Sequence, residues 1–396
     1  MQVILFDTKV RNSLLPFTHT RPVADIRCGI LTMRERWERF LNTPTSTLTV
    51  PYLQAVFPQT TTNDNLYING AVFANPNITE AILKLNNGDV LAKGNLIIAI
   101  RTDKQIDTIA ALPDTGNVEY DTDAHALQHI WDIFANNGNA IRGDYKLLTY
   151  NKQSAPIPEN ITVTGSENLF IEEGATINAG CIINASTGPV YIGKGAEILE
   201  GSILRGPIAL CEQGVVKMGA KIYSDTTIGP GCKVGGEVSN VVFFANSNKG
   251  HDGYLGNAVI GEWCNLGADT NCSNLKNNYD EVKIWDEHIN KSVKTGLTFC
   301  GLLMGDHSKC GINTMFNTGT VVGMSANVFG AGFPEKFIPS FCWGGSDGMT
   351  TYSFERAMET ADRMMARRGK KMSEVERVMY QYVFDNTTYQ RDLFAK

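Results

Sequence analysis

Residues 192–234 read IGKGAEILEGSILRGPIALCEQGVVKMGAKIYSDTTIGPGCKV. Apolar side chains fall at every sixth position without a miss: Ile192, Ile198, Leu204, Leu210, Val216, Ile222, Ile228 and Val234. Ile171, Ile177 and Ile183 keep this step upstream. Downstream it resumes in a shifted phase at Ile260 and Leu266, then at Met304, Cys310, Phe316, Val322 and Val328. A helix would rotate such positions around its axis, so no core face would persist. A three-sided coil fits the step, with a short strand on each side and a small residue near each corner. The fourth residue after the apolar one is small at Cys181, Ala196, Ser202, Gly214, Ala220, Cys232, Cys264, Thr270, Ser308, Thr320 and Ala326, while Ile208 and Val238 are the main exceptions. This is the pattern of a hexapeptide β-helix. About three hexads to a coil give roughly six or seven coils.

The chain has 396 residues, too many for one ordinary core, so two or three domains are expected. With 35 Lys+Arg against 41 Asp+Glu the net charge is −6, which argues against nucleic acid as a partner. No apolar run approaches the roughly 18 residues of a membrane span. The N-terminus MQVILFDTKVRN does not read as a secretory signal. Nine cysteines without a CxxC pair read as free thiols in a reducing compartment, so a cytoplasmic location is expected.

Residues 1–150 lack the hexad step and alternate strand and helix patterns, an α/β domain. Val3–Phe6 is a buried strand followed by the polar loop TKVRNSLLPFTHTRP, and a helix is expected with Ile26, Ile30, Met33 and Trp37 on one face. Arg11, Arg21 and Arg27 are candidates to hold a polyphosphate, although no Walker loop or GxGxxG is present. Residues 151–168, with QSAPIPEN, read as a linker, 169–346 as the β-helix and 350–390 as C-terminal helices split at Gly369. Two excursions are expected to leave the coil, at about 235–259 and 275–296. Arg363, Arg367, Arg368, Lys370 and Lys371 form a basic cluster, usually a solvated face but one able to meet the phosphates of a cofactor.

The run KGHDGYLGNAVIG (249–261), followed by NLGADT (265–270) and Ser273-Asn274, resembles the acetyltransferase half of the bifunctional N-acetylglucosamine-1-phosphate uridyltransferase/glucosamine-1-phosphate acetyltransferase family. LLPFTHTRPVADIRCGILTMRERW is similar to the short, divergent sugar nucleotidyltransferase domain fused to such β-helices. The resemblance implies a left-handed parallel β-helix behind an α/β nucleotidyltransferase-like domain, and a homotrimer. It also implies acetyl-CoA as co-substrate, Mg²⁺ for nucleotidyl transfer, and a sugar phosphate and UTP as partners in UDP-N-acetylglucosamine synthesis for the cell envelope. The chain departs from the family's Gly-rich N-terminal loop, carrying LFDTKVRN in its place, and has Leu275 where a Tyr often stands.

N-acetylation needs a base for the attacking amine and donors for the developing oxyanion. His251 is the candidate base, with Asp252 or Glu237 to orient it. Asn274 is a candidate for the substrate amine or the thioester carbonyl, and the backbone at Ala268 for the acyl carrier. Lys249 and Lys276 are candidates for the sugar phosphate, and Tyr254 for substrate binding. His307 is a rival to His251, and His288 reads as surface. No metal ligand is assigned. Other readings stay open: an acyltransferase acting on a sugar phosphate or nucleotide sugar with a non-catalytic N-terminal domain, a β-helix zinc hydro-lyase using His251, His288 and His307, and a non-enzymatic scaffold.

Overall fold

The hexad step closes a three-sided parallel solenoid in the computed structural model, which describes residues 1–394. One ladder climbs through Thr162–Thr164, Ile182–Asn184, Ile203–Arg205 and Lys221–Ile222, and a second through Leu169–Ile171, Val190–Ile192, Ile208–Leu210 and Thr226–Ile228. A third runs from Thr176–Ile177 through Glu197–Ile198, Val215–Val216, Lys233–Val234 and Asn248–Lys249 to Asn265–Leu266. The hexad side chains stack inside as one core. The small residues predicted at the corners are buried too, and Ser202, Thr270 and Thr320 use their hydroxyls to bond corner carbonyls.

Contacts divide the chain into two units: residues 1–26, 31–130 and 373–382, and residues 27–30, 131–372 and 383–396. This departs from the expected boundary at 150. The helix Asn137–Thr149 belongs to the solenoid unit, where Asn137 Nδ2 donates to Asp225 O (2.7 Å) and Arg142 Nη2 donates to Thr187 O (2.8 Å). The expected linker 151–168 is also corrected. Thr162–Thr164 already pairs with Ile182–Asn184, and Ala155 N donates to Ile171 O, so the coil begins before residue 169. Of the two expected excursions, 275–296 leaves the coil and carries the antiparallel hairpin Lys283–Asp286/Lys291–Lys294. The stretch 235–259 does not. It holds the seven-residue strands Glu237–Phe243 and Tyr254–Ile260, paired to one another. Here the coil tightens: Val216 pairs with Val234, but Val234 pairs with Lys249, three residues short of a full turn.

Past the coil, Cys342–Gly345 and Gly348–Thr351 form an antiparallel pair that closes the last edge. Three helices follow rather than two: Phe354–Ala366, Glu374–Asn386 and Thr388–Phe394.

The other unit is a six-stranded mixed sheet: β1 Gln2–Phe6, β2 Thr45–Leu48, β3 Asn65–Asn69, β4 Val90–Lys93, β5 Leu96–Thr102 and β6 Val118–Glu119, in the order β2-β1-β3-β5-β4-β6. Val3 and Leu5 pack with Trp37 and Ile68 on one face, while Ile4 and Phe6 pack with Leu48 and Tyr67 on the other. The helix expected from Ile26 begins only at Met33. Thr32 and Glu35 form a reciprocal capping box that fixes the start, and Gly29, at φ +96°, breaks any earlier turn. Among the described residues no helix is long and apolar enough to cross a membrane. All nine cysteines are free thiols, as expected, and all are buried.

Candidate active site

A cleft of about 860 Å³ lies along the solenoid, with outward residues of the third ladder as its floor and the helix Phe354–Ala366 as one wall. Strand alternation sends Val234, Leu266 and Cys310 inward and their neighbours Lys233, Asn265 and Lys309 outward. His251 and Ala268 line this cleft together. Among the described residues its charged lining is cationic, with Lys217, Lys233, Lys309, Arg363, Arg367 and Arg368, while Asp252 and Asp269 line the adjoining recess that shares Lys217, His251 and Ala268. Three of the five residues of the terminal basic cluster, Arg363, Arg367 and Arg368, thus line the same space as the candidate base. Lys217 and Lys233 escaped the sequence reading, although each adjoins an inward hexad residue, which is the signal that marks an outward position.

Arg368 is a strut. It donates from Nη1 to Gly231 O and from Nη2 to Asn248 Oδ1 (3.2 Å), holding the helix end to the coil. Arg363 pairs with Glu359 (3.1 Å) on the exposed side of the helix. Lys309 donates to His307 O (2.7 Å), and burial pushes its ammonium down to about 8, with the Cys264 thiol opposing.

His251 is exposed within Gly250-His-Asp-Gly253, a turn whose end glycine has φ +110°. Asp252 lines a smaller recess with His251, and Glu237 instead lies 3.9 Å from Lys221. Lys249 is 1% exposed and occupies an inward place in the third ladder. Its Nζ donates to the carbonyls of His251 (2.9 Å), Asp252 (3.2 Å) and Gly235 (3.3 Å). Burial pushes this ammonium down to about 8, with Asp252, Cys310 and Asp269 opposing. An ammonium spent on three backbone acceptors inside the prism is not disposed to hold a sugar phosphate, which corrects the expectation for Lys249.

Asn274 Nδ2 donates to Tyr254 Oη (3.0 Å) and to Asn257 Oδ1 (2.7 Å). Burial raises the Tyr254 phenol above its usual range, and the Asn274 contact opposes this. Tyr254 and Asn274 therefore form one cluster, but neither lines the cleft that holds His251 and Ala268. Lys276 sits at the root of the excursion, donating to Glu281 O and lying 3.7 Å from Asp280. His307 is a buried corner residue at φ +59°, stacked on Trp263, and His288 is exposed at the hairpin tip. Among the described residues no group of three or more His, Cys, Asp or Glu side chains gathers to hold a metal. His251, His288 and His307 do not come together within one chain.

In the sheet unit, Asp7 stands at the C-terminal end of β1, where open α/β sheets bind ligands. Its carboxylate accepts from Val23 N (2.8 Å) and Thr49 Oγ1 (2.6 Å) and lies 3.5 Å from Arg11 Nε. Burial holds its carboxyl above the usual range, against Arg11 and these donors. Arg11 also donates to Thr18 O (2.8 Å) and Tyr52 Oη (3.1 Å). Arg21 and Arg27 are equally buried. Arg21 approaches Thr20 Oγ1 (3.5 Å), and Arg27, which belongs to the solenoid unit, donates to Ile30 O. Of the three arginines expected to form a phosphate grip, Arg11 and Arg27 are thus tied to backbone carbonyls of their own segment, and Arg21 reaches the Thr20 hydroxyl.

Fold and residues together define a class: a mixed α/β sheet unit and a hexapeptide solenoid in one chain. Residues 3–153 match the family model described as sugar nucleotidyl transferase. The bifunctional protein GlmU of Methanococcus maripaludis (strain C5) is 28% identical over 253 residues, 63% of this chain and 54% of that relative. The bifunctional sugar-1-phosphate nucleotidylyltransferase/acetyltransferase of Sulfurisphaera tokodaii is 30% identical over 182 residues, 46% of this chain and 40% of the relative. The chain thus spans about half or less of the length of these relatives. A solved structure, the polySia specific acetyltransferase NeuO, aligns with 48% of this chain and 85% of its own at 16% identity and a TM-score of 0.28. The resemblance read from KGHDGYLG and the N-terminal segment is met by relatives that are transferases by name.

Proposed function

We propose that the chain is a bifunctional sugar-nucleotide enzyme. Its solenoid transfers acetyl from acetyl-CoA to the amine of glucosamine-1-phosphate, and its sheet domain transfers uridylyl from UTP to the N-acetylated sugar phosphate. The observation that carries the first half is that His251 and Ala268 line one cleft whose charged residues are all cationic. The match of residues 3–153 supports the second.

In this reading His251 accepts a proton from the sugar ammonium, and the freed amine attacks the thioester carbonyl carbon. The tetrahedral oxyanion receives backbone N–H donors near Ala268. Collapse forms the amide and expels the coenzyme A thiolate, which takes up the proton that the attacking nitrogen loses. Both amide protons of Asn274 are engaged by Tyr254 and Asn257. Its Oδ1 is then the atom to meet a substrate N–H, which favours the amine over the thioester carbonyl among its two candidate roles. Magnesium enters bound to UTP, as part of the substrate. A homotrimer, following the resemblance, would let a second copy bring the Tyr254–Asn274 cluster to the cleft.

Acetyl-CoA and glucosamine-1-phosphate given to the purified protein should release free thiol, and His251→Ala should abolish the release. Folded protein that releases none rejects the acetyltransferase. Pyrophosphate formed from UTP and N-acetylglucosamine-1-phosphate tests the other half. Its absence, with thiol release intact, leaves a single-function acyltransferase.

A further inference from the structure

Lys249 is among the largest fully buried side chains of the molecule, and it stands in a column of apolar residues. An apolar residue would satisfy the column at lower cost, because a buried ammonium loses its hydration. The compensation is specific: three protons meet three carbonyls, those of Gly235, His251 and Asp252. Two of these acceptors lie in the turn that carries the candidate base. That turn is flanked by Gly250 and Gly253, and a glycine at either end leaves the backbone many conformations. The tightened coil brings the turn over the end of the Lys249 side chain, since Val234 and Lys249 are register partners three residues closer in sequence than Val216 and Val234.

We propose that Lys249 is a positioning residue for His251, acting from inside the prism by pinning the His251 and Asp252 carbonyls so that the imidazole is held on the cleft side. This rests on the reading of His251 as the base. The lysine touches neither substrate nor reacting atom.

The test replaces Lys249 with Met, which fits the apolar column and has no donor, and with Gln, which keeps two. Lys249→Met should lower kcat for thiol release by about 10- to 100-fold while KM for acetyl-CoA stays within about 2-fold. Its melting temperature should stay within about 5 °C of wild type, because relief of the buried charge and loss of three hydrogen bonds oppose each other. Lys249→Gln should recover part of kcat. Wild-type kcat in folded Lys249→Met, with His251→Ala inactive, overturns the proposal and leaves the assignment of the base intact. A parallel fall in kcat and melting temperature in both variants also overturns it, assigning Lys249 a structural role alone. Full activity in His251→Ala removes the base assignment and this proposal with it.

Discussion

The cationic cleft makes a quantitative prediction about what the terminal helix does for the acyl carrier. Arg363 and Arg367 are exposed on the helix wall, and neither holds the helix to the coil as Arg368 does. Coenzyme A carries a diphosphate and a 3′-phosphate, so both guanidinium groups have anions to meet in a cleft without carboxylates. Solvent weakens each contact to at most about 1 kcal/mol, and Glu359, 3.1 Å from Arg363, takes part of that. Losing both in the Arg363→Gln/Arg367→Gln variant therefore removes about 1–2 kcal/mol, raising KM for acetyl-CoA roughly 5- to 30-fold. Turnover should be retained within about 2-fold, since neither side chain is placed at the reacting atoms. Salt should raise KM of the wild type more steeply than that of the variant. The assay is thiol release with acetyl-CoA beside S-acetylpantetheine, which lacks the nucleotide phosphates. An equal effect on both thioesters, or none on acetyl-CoA, would refute the phosphate contact.

Gly253→Ala should cost about 3 kcal/mol or more and abolish thiol release, because its Cβ would meet Thr270 O at 2.2 Å at a backbone φ of +110°; a urea midpoint equal to wild type contradicts the tight coil. Lys249 supplies a pH signature. Between its folded value of about 8 and the ordinary 10.5, the unfolded chain keeps a proton that the folded chain has lost, so stability rises with pH by about 3 kcal/mol. The stability difference between wild type and Lys249→Met, measured by urea at about pH 7 and about pH 10, should therefore shift toward wild type. Asp7 runs the other way. Its carboxyl is held above the usual value, so its contribution falls as pH rises through that window, and Asp7→Asn should remove that fall and leave stability rising more steeply with pH across the acid limb. Tyr254→Phe removes one acceptor from Asn274 Nδ2 and should lower kcat about 3- to 10-fold and the melting temperature by a few degrees.

The solenoid is legible because its interior is narrow: each side of the coil admits one large side chain, so the hexad step survives in the sequence as Ile192 through Val234. It fails where the chemistry inside changes. At the next inward place stands Lys249, and a polar residue three positions early reads as the end of the repeat. The helix Asn137–Thr149 has ordinary amphipathic spacing, and nothing in that spacing says which core its buried Ile141 and Leu148 join. Ile26, Ile30, Met33 and Trp37 have true helical spacing, yet the chain turns at Gly29 and starts its helix at Thr32. Local capping there outweighs periodicity.

At the candidate site the motif and the packed structure part over one residue, which lies on the inner side of the wall. K-G-H places Lys249 and His251 two residues apart, which on a regular strand would put both side chains on one face. Here the strand ends at Lys249, and the glycine after it lets the chain turn, so the lysine is buried while the histidine is exposed. The arginines of the N-terminal loop fail for a related reason. Composition reports how many cations a loop carries, but Arg11 is committed to Asp7, Thr18 and Tyr52 by contacts of up to 41 residues in sequence separation. A cation already saturated by its own fold has little left for a phosphate. The cleft cations are closer to the converse case: Lys217 and Lys233 on the coil line one cavity with Arg363 and Arg367 from more than a hundred residues later, and of these four Arg363 also pairs with Glu359. What makes a basic residue a candidate ligand is therefore the absence of a nearer acceptor, a property of the packed structure that no local motif encodes.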